Sequence, residues 1–267
     1  MEENINKLPI GLPVVELFHS IQGEGVYAGV PSIFVRVTGC NLRCVFKDSI
    51  CDTSYTSFNP EKPIFRDLDE LATAIHELSL KFPKTKHLVI TGGEPMLYKE
   101  GIMALLDGIS YLDFHVTVET NGTLGIIEDL DGDFNYIDLY SVSPKLSTSV
   151  DKERKFLTRA RAARHDKARI NYESLADFFI HPNRSQVQLK FVYSGKDSVK
   201  EIKKIIMHLV EDFKCEITAD DVLLMPEGVT TEQLKQNQEE CAIVCMENGW
   251  RFCDRLHIRI WEDKKCV

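Results

Sequence analysis

Short apolar runs alternate with stretches of helical periodicity along most of the chain. Six runs rich in β-branched and aromatic residues predict strands: Ser32–Val37, His87–Thr91, Phe114–Glu119, Ile137–Val142, Val187–Val192 and Val222–Met225. Apolar residues recur at helical spacing over 68–78 and 199–213, and a third helix is predicted to begin at Thr230 or Thr231 and to end at Gly249. Strands separated by helices predict a parallel sheet with right-handed crossovers. We therefore expect an α/β fold, an open, partial β/α barrel of about six parallel strands, with functional loops at their carboxyl ends.

One segment, at about 147–185, interrupts this alternation. It carries eight Lys and Arg residues between Lys152 and Arg169, with few apolar residues before Phe178 and Phe179. Such a charge run is typical of an exposed helical insertion. Because the segment directly follows a strand end, two functional interpretations stand beside that one: a mobile lid, or a docking surface for an acidic redox partner.

The composition is that of an ordinary globular protein. The chain has 267 residues, 43% hydrophobic and 27% charged, which suits one domain over residues 1–267. It contains no apolar run of about 18 residues, so no membrane span is expected. The net charge of −9 argues against general affinity for nucleic acid. Residues 1–11 lack the apolar core of a secretory signal, so the eight cysteines are expected to be thiols in a reducing, cytoplasmic compartment.

Three cysteines follow the first of the predicted strands. Cys40, Cys44 and Cys51 are spaced C-x3-C-x6-C, and the next histidine or cysteine along the chain is His76. Thiolates are soft ligands that suit iron–sulfur clusters and zinc. A self-contained 4Fe–4S cluster usually takes four cysteines, and a structural zinc ion also needs four protein ligands. Three ligands favour a 4Fe–4S cluster with one iron open to a chelating molecule, and a zinc site is the alternative.

Polar segments also end the later strands. Thr91-Gly92-Gly93-Glu94-Pro95 ends the second strand, where paired glycines let a ligand approach the backbone and a carboxylate can accept from an ammonium group. Glu119 ends the third strand, Ser143-Pro144-Lys145 the fourth, and Met225-Pro226-Glu227-Gly228 the last. The carboxyl ends of parallel strands share one edge of a barrel, so these groups are expected to surround one site.

The segments GCNLRC (Gly39–Cys44) and CDT (Cys51–Thr53), followed one strand later by TGGEP, resemble the radical S-adenosylmethionine superfamily. The resemblance implies a partial barrel of the radical S-adenosylmethionine type, a 4Fe–4S cluster on the three cysteines and S-adenosylmethionine on its open iron. The superfamily usually spaces its cysteines C-x3-C-x2-C, so four extra residues lie within Val45–Ile50. The residues implied in S-adenosylmethionine binding are Ile50, Gly93, Glu94, Ser143, Pro144, Lys145, Met225, Pro226, Glu227 and Gly228.

Further segments narrow the resemblance to the 7-carboxy-7-deazaguanine synthase family. They are IQGEG (Ile21–Gly25), FVR (Phe34–Arg36), CDT and RLHIRIW (Arg255–Trp261). The implied reaction converts 6-carboxy-5,6,7,8-tetrahydropterin to 7-carboxy-7-deazaguanine plus ammonia, a step towards queuosine and related deazapurines. It is a radical-mediated ring contraction in which S-adenosylmethionine is regenerated.

The same resemblance assigns roles to individual residues. The implied substrate contacts are Ile21, Gln22, Gly23, Arg36 and Thr91. Arg36 also has an independent rationale, because a guanidinium suits the bidentate grip of the substrate's carboxylate. Thr53 is implied as a ligand of Mg²⁺, an ion that often takes only one or two protein oxygens. Glu119 is expected to act in catalysis with Arg36, at the cofactor's ribose or beside the substrate; a buried hydrogen-bonding role is the alternative.

The resemblance further implies a homodimer and a flavodoxin- or ferredoxin-type reductant. Two other functions stay open: a radical S-adenosylmethionine activase that makes a glycyl radical on a partner protein, and a non-enzymatic iron–sulfur electron-transfer or zinc-binding protein. IQGEG and CDT argue against the first, and the polar strand ends against the second. Cys241 and Cys245 fall on one helical face and are expected in the core rather than on a second cluster.

Overall fold

The computed structural model describes residues 11–47, 49–126, 136–181, 185–262, 264 and 266, and the structural statements below concern these residues. The strands are β1 (Val14–Ile21), β2 (Pro31–Val37), β3 (Val45–Phe46), β4 (Ser49–Ile50), β5 (His87–Gly92), β6 (His115–Thr120), β7 (Leu139–Val142), β8 (Gln186–Tyr193), β9 (Val222–Pro226) and β10 (Arg251–Phe252). The α-helices are α1 (Ser54–Ser57), α2 (Leu68–Lys81), α3 (Lys99–Gly108), α4 (Arg159–Ala168), α5 (Tyr172–Ile180), α6 (Lys196–Glu211), α7 (Thr231–Asn248) and α8 (Leu256–Trp261).

Eight strands form one sheet in the order β1-β2-β5-β6-β7-β8-β9-β10. The strands from β2 to β10 are parallel, and β1 joins the edge of the sheet antiparallel to β2. Within this sheet the strands follow one another in chain order, which is the arrangement of successive β/α units. The six predicted strands are β2, β5, β6, β7, β8 and β9, so the predicted α/β partial barrel is confirmed. The edge strands β1 and β10 were not predicted.

The parallel strands separate their apolar and polar side chains by alternation. Val35, Ile90 and Val118 occupy neighbouring positions on three strands, are buried, and belong to the main core. Helices such as α2 and α6 bury apolar faces in the same core. Full burial of a side chain of this size contributes about 1.5–3 kcal/mol. The next residue of each strand points to the opposite side, which is the side that holds the candidate site.

The predicted signals at the ends of α7 are confirmed. The side chain of Thr230 accepts a hydrogen bond from the Gln233 N–H at the start of the helix. Gly249 ends it with a φ of 69°, the left-handed conformation that favours glycine. Cys241 and Cys245 lie on this helix and are buried in the main core. Among the described residues, no helix combines the length and the apolar character needed to cross a membrane.

Candidate active site

One cavity of about 920 Å³ opens on the polar side of the sheet. It brings together nearly all of the predicted site residues. Those that line it are Ile21, Gln22, Gly23, Arg36, Cys40, Cys44, Ile50, Cys51, Thr53, Thr91, Gly93, Glu119, Ser143, Lys145, Met225, Pro226, Glu227 and Gly228. Two predicted residues, Glu94 and Pro144, are buried outside this lining.

A row of polar side chains crosses the sheet at one level of register. Its members lie on six neighbouring strands, one residue beyond the apolar row of the core: Glu16, Arg36, Thr91, Glu119, Ser141 and Gln188. The Thr91 hydroxyl donates to Glu119 Oε2 at 2.7 Å, and Gln22 Nε2 donates to Glu119 Oε1 at 3.2 Å. Glu119 is thereby held in place beneath the cavity. The strand register places these side chains on one surface, and four of them line the cavity.

The three cysteines line one wall of this cavity. Gly39, with a φ of 93°, turns the chain out of β2, and its N–H donates to Thr56 O at 2.7 Å. The extra residues of the motif form the hairpin of β3 and β4, in which Val45 pairs with Ile50. This hairpin returns the chain so that Cys51 N–H donates to Cys44 O at 3.0 Å. The longer spacing therefore leaves Cys44 and Cys51 adjacent.

The chemistry of the three thiols fits an iron–sulfur cluster. All three are free cysteines, and burial raises the pKa of Cys44 well above its ordinary value and that of Cys51 to about 11. Thiolates at these positions therefore need a cationic partner, which the irons of a cluster would provide. Within the described ranges, no three His, Cys, Asp or Glu side chains converge as ligands of a single ion, whereas a cluster spreads its cysteines over separate irons.

The turn after β5 packs on the cysteine loop. A Cβ on Gly93 would collide with Gly39 O, so glycine is required where this turn packs on the cysteine loop. The Glu94 carboxylate is fully buried and accepts hydrogen bonds from Met96 N–H at 3.0 Å, Thr120 Oγ1 at 2.6 Å and Asn121 N–H at 2.7 Å. Its oxygens fasten the turn to the end of β6. Gly93 faces the cavity. The Glu94 carboxylate is held by these three hydrogen bonds, and its predicted role towards the cofactor's amino group stays a prediction.

Two further strand ends contribute to the cavity lining. Lys145 Nζ donates to Ser143 Oγ at 2.8 Å, and both side chains line the cavity. Pro144 between them is buried and outside the lining, and its predicted contact with S-adenosylmethionine stays a prediction. The segment Met225–Gly228 spans the end of β9 and the turn that follows, and Glu227 N–H donates to Tyr193 O at 3.0 Å.

A network of charges joins the motifs. Arg255 and Lys190 are buried, Glu24 is partly buried and Asp52 is exposed. Arg255 Nε donates to Glu24 Oε1 at 2.9 Å, its Nη1 to Gly228 O at 2.6 Å, and its Nη2 to Asp52 Oδ2. Lys190 Nζ donates to Glu24 Oε2 at 2.5 Å and lies 3.8 Å from Glu119 Oε1. One arginine thus connects the IQGEG, CDT and Met225–Gly228 segments.

Charge pairing overcomes burial in this network. Burial favours the neutral form of Glu24, but Lys190 and Arg255 hold the pKa of that carboxyl well below its ordinary value. Asp52 is more exposed, and its contact with Arg255 keeps the pKa of that carboxyl lowered. Burial lowers the pKa of His257, which also lines the cavity. The cavity therefore offers fixed charges of both signs near a histidine that favours the neutral form.

Arg36 and Thr53 line the cavity, and each contacts other side chains of the protein. Arg36 Nε donates to Glu16 Oε2 at 2.5 Å, and the same oxygen accepts from Tyr55 OH at 3.0 Å. The oxygen of Thr53 lies 3.3 Å from Cys51 Sγ, and the side chain does not cap α1. The roles predicted for these residues towards substrate and Mg²⁺ stay predictions.

The position of Lys190 in its strand could have predicted that its side chain faces the site. In the strand Val187–Val192 it is a buried polar residue two positions after Gln188, so both point to the polar side of the sheet. Glu24, Asp52 and Arg255 belong to the motifs IQGEG, CDT and RLHIRIW, but no local sequence pattern indicates that their side chains are in contact.

The comparisons with known proteins agree with this geometry. The family model of the radical SAM superfamily matches residues 34–181. The 7-carboxy-7-deazaguanine synthase of Halobacterium salinarum is 38% identical over 257 residues, covering 94% of this chain and 91% of that protein. The 7-carboxy-7-deazaguanine synthase of Rhodopirellula baltica is 34% identical over 256 residues, covering 95% and 88%. The crystal structure of QueE from Escherichia coli matches with a TM-score of 0.59 at 20% identity, over 93% of this chain and 95% of that chain, and shares the fold.

Proposed function

We propose a function from the premise that this chain belongs to the 7-carboxy-7-deazaguanine synthase family of the radical S-adenosylmethionine superfamily. It is a radical S-adenosylmethionine lyase, and its reaction contracts the ring of 6-carboxy-5,6,7,8-tetrahydropterin to give 7-carboxy-7-deazaguanine and ammonia. A 4Fe–4S cluster and S-adenosylmethionine are its cofactors. The product belongs to the biosynthesis of queuosine and related 7-deazapurines.

The main support for this function is that the cysteine motif and the polar residues of the sheet line the same cavity. The cysteine wall and the polar row of the sheet face the same 920 Å³ space. When bound, the cluster and S-adenosylmethionine supply one-electron chemistry that removes a hydrogen from the substrate. The protein's part is to hold the substrate beside that chemistry and to limit access of water.

The charges of the cavity suit the two ends of the pterin. The substrate carries a carboxylate at one end, and cationic side chains, Arg36 and Lys190, lie on the polar face of β2 and β8. Its aminopyrimidine edge presents N–H donors, for which Glu24 and Glu119 are acceptors. We place the carboxylate at Arg36 and the aminopyrimidine edge at these acids. Lys190 and Arg255 hold the pKa of the Glu24 carboxyl low against its burial, so Glu24 remains an ionised acceptor.

Mg²⁺ beside Thr53 is part of the proposal. The Thr53 oxygen lies next to Cys51 and opens onto the cavity, where Asp52 adds a carboxylate. A hard cation that keeps most of its waters would accept these oxygens together with the substrate's carboxylate. A homodimer and an external flavodoxin- or ferredoxin-type reductant complete the proposal; light scattering of the purified chain tests the dimer.

Anaerobic reconstitution tests the function against both alternatives. Limiting S-adenosylmethionine, excess 6-carboxytetrahydropterin, Mg²⁺ and reductant should yield several equivalents of 7-carboxy-7-deazaguanine per cofactor. An activase would instead leave 5′-deoxyadenosine as a stoichiometric product, and an electron-transfer protein would form neither. The variant Arg36→Ala should keep its affinity for S-adenosylmethionine and lose most of its affinity for the pterin. Absence of deazaguanine from enzyme with an intact cluster would contradict the assignment.

A further inference from the structure

The segment 147–185 carries a concentrated basic surface on an acidic protein. Residues 152–169 include eight Lys and Arg residues and two acidic ones, whereas the whole chain has a net charge of −9. We call the outward-facing side of this segment the basic face. Its exposed cationic side chains are Lys152, Arg154, Lys155, Arg159, Arg161, Arg164 and Lys167.

The inner side of the same segment packs on the cysteine loop. Leu157 and Ala162 are buried in a small apolar cluster with Val45, and Ile50 packs against it. His165 Nδ1 accepts a hydrogen bond from Arg43 N–H at 3.2 Å. These loop residues are direct chain neighbours of Cys44 and Cys51. The basic face therefore lies outside the loop that holds the predicted cluster ligands.

Only one helix separates the basic face from that loop. On α4, Arg161 and Arg164 are exposed, while Ala162 and His165 beside them are buried against the loop. An α-helix with its side chains is about 10–12 Å across. A protein seated on the basic face would thus bring its own redox centre near the cluster loop without entering the substrate cavity.

A large aromatic side chain stands within the basic face. Phe156 is 45% exposed, and its N–H donates to Asp151 Oδ2 at 2.8 Å. Asp151 also accepts from the N–H groups of Lys155 and Leu157, at 3.0 and 2.7 Å, so one carboxylate fixes the loop that presents Phe156. An aromatic residue held in an exposed position among cations is typical of an interface anchor.

We propose that the basic face is the docking surface of an acidic one-electron carrier protein that reduces the cluster. The proposal rests on the proposed function, because that function requires electrons from outside the chain. A cationic patch on a chain of net charge −9 selects an anionic partner and orients it at the cluster loop. Phe156 supplies the apolar contact that holds the complex once it has formed.

Charge reversal tests the surface. In the variant Arg159→Glu/Arg161→Glu/Arg164→Glu, stopped-flow reduction of the reconstituted cluster by reduced flavodoxin should slow at least tenfold at low ionic strength, since steering contributes about 10–10³ to association rates. Raising the salt concentration should slow cluster reduction in the wild type, so that its rate approaches that of the variant. Reduction by the methyl viologen radical cation should not slow in the variant. Phe156→Ala should weaken flavodoxin binding about fivefold or more with little change in association rate.

A matched control variant changes the net charge by the same amount at a different surface. Lys200→Glu/Lys203→Glu/Lys204→Glu reverses three exposed cations on α6. Equal slowing by both triple variants, or no slowing by the first, would overturn the proposal. Deazaguanine formation with methyl viologen as reductant reports the proposed function separately. If the wild type makes none, that function fails, while the rate of cluster reduction by flavodoxin still decides the docking surface.

Discussion

His165 should make the stability of this protein depend on pH between about 4 and 6.5. The side chain is 2% exposed; Nδ1 accepts from Arg43 N–H, and Nε2 lies 3.0 Å from Ser149 Oγ. An Nδ1 that accepts a hydrogen bond is unprotonated, so Nε2 carries the proton and donates to Ser149. Protonation of Nδ1 would break the bond to Arg43.

The size of the effect follows from the shift in pKa. Burial, with help from the nearby charges of Arg169 and Lys145 and against that of Asp166, lowers the pKa of His165 to about 4. An unfolded histidine titrates near 6.5. Between these values the unfolded chain binds a proton that the folded chain does not, so stability is fully present above about pH 6.5 and falls as the pH is lowered. The loss is about 2 kcal/mol at pH 5 and about 3 kcal/mol below pH 4.

The variant His165→Gln isolates this contribution. A glutamine can accept from Arg43 and donate to Ser149 but cannot titrate. Urea unfolding of the iron-free chain at a series of pH values should show a free energy of unfolding that falls between pH 6.5 and 4 in the wild type and falls less in the variant, with equal urea dependence. Parallel pH profiles would refute the reasoning, because they would mean that His165 is protonated in the folded protein or unimportant to it.

Three further predictions follow. Thr53→Val should weaken the stimulation of turnover by Mg²⁺ and leave the cluster spectrum intact; unchanged Mg²⁺ dependence would make Thr53 only a turn residue. Arg255→Ala should lower the free energy of unfolding of the iron-free chain by about 1.5–3 kcal/mol, because Glu24 and Asp52 lose a charged hydrogen-bond donor while Lys190 still pairs with Glu24. Arg259→Ala, which breaks a more exposed pair with Asp254, should cost no more than about 1 kcal/mol. Cys241→Ala with Cys245→Ala should leave one cluster per chain by iron and sulfide analysis; two clusters in the wild type and one in the double variant would contradict the core assignment.

The sheet could be predicted because its central strands are buried. A strand such as His87–Gly92 packs on both sides, so its apolar run is continuous and its type follows from composition. The edge strand Val14–Ile21 has only one neighbour, and Glu16 and His19 interrupt its apolar residues. The two-residue strand β10 is too short to carry a pattern. What was missed therefore lies at the margins of the sheet.

The cavity could be predicted from motifs, but side-chain direction could not. The TGGEP motif pointed to this strand end, and Gly93 lines the cavity. No sequence pattern shows that two backbone N–H groups and the Thr120 hydroxyl donate to the Glu94 carboxylate inside the fold. The charge network was beyond sequence reasoning for a different reason. Arg255 lies 203 residues from Asp52 and 231 from Glu24, so only tertiary structure brings the three together.

The longer cysteine loop and the segment 147–185 form one structural unit. The longer cysteine loop makes a hairpin whose Val45 and Ile50 would be exposed without cover, and Leu157 and Ala162 of the basic segment provide it. His165 satisfies the Arg43 N–H, which would otherwise be a buried donor without a partner. Arg169, at the end of α4, donates to Lys145 O at 3.0 Å and to Glu201 Oε1 at 2.6 Å, which ties the same segment to the Ser143–Lys145 strand end. Loss of the segment would therefore disturb the cluster loop and the Ser143–Lys145 strand end together, even though none of its residues that the structure describes lines the cavity.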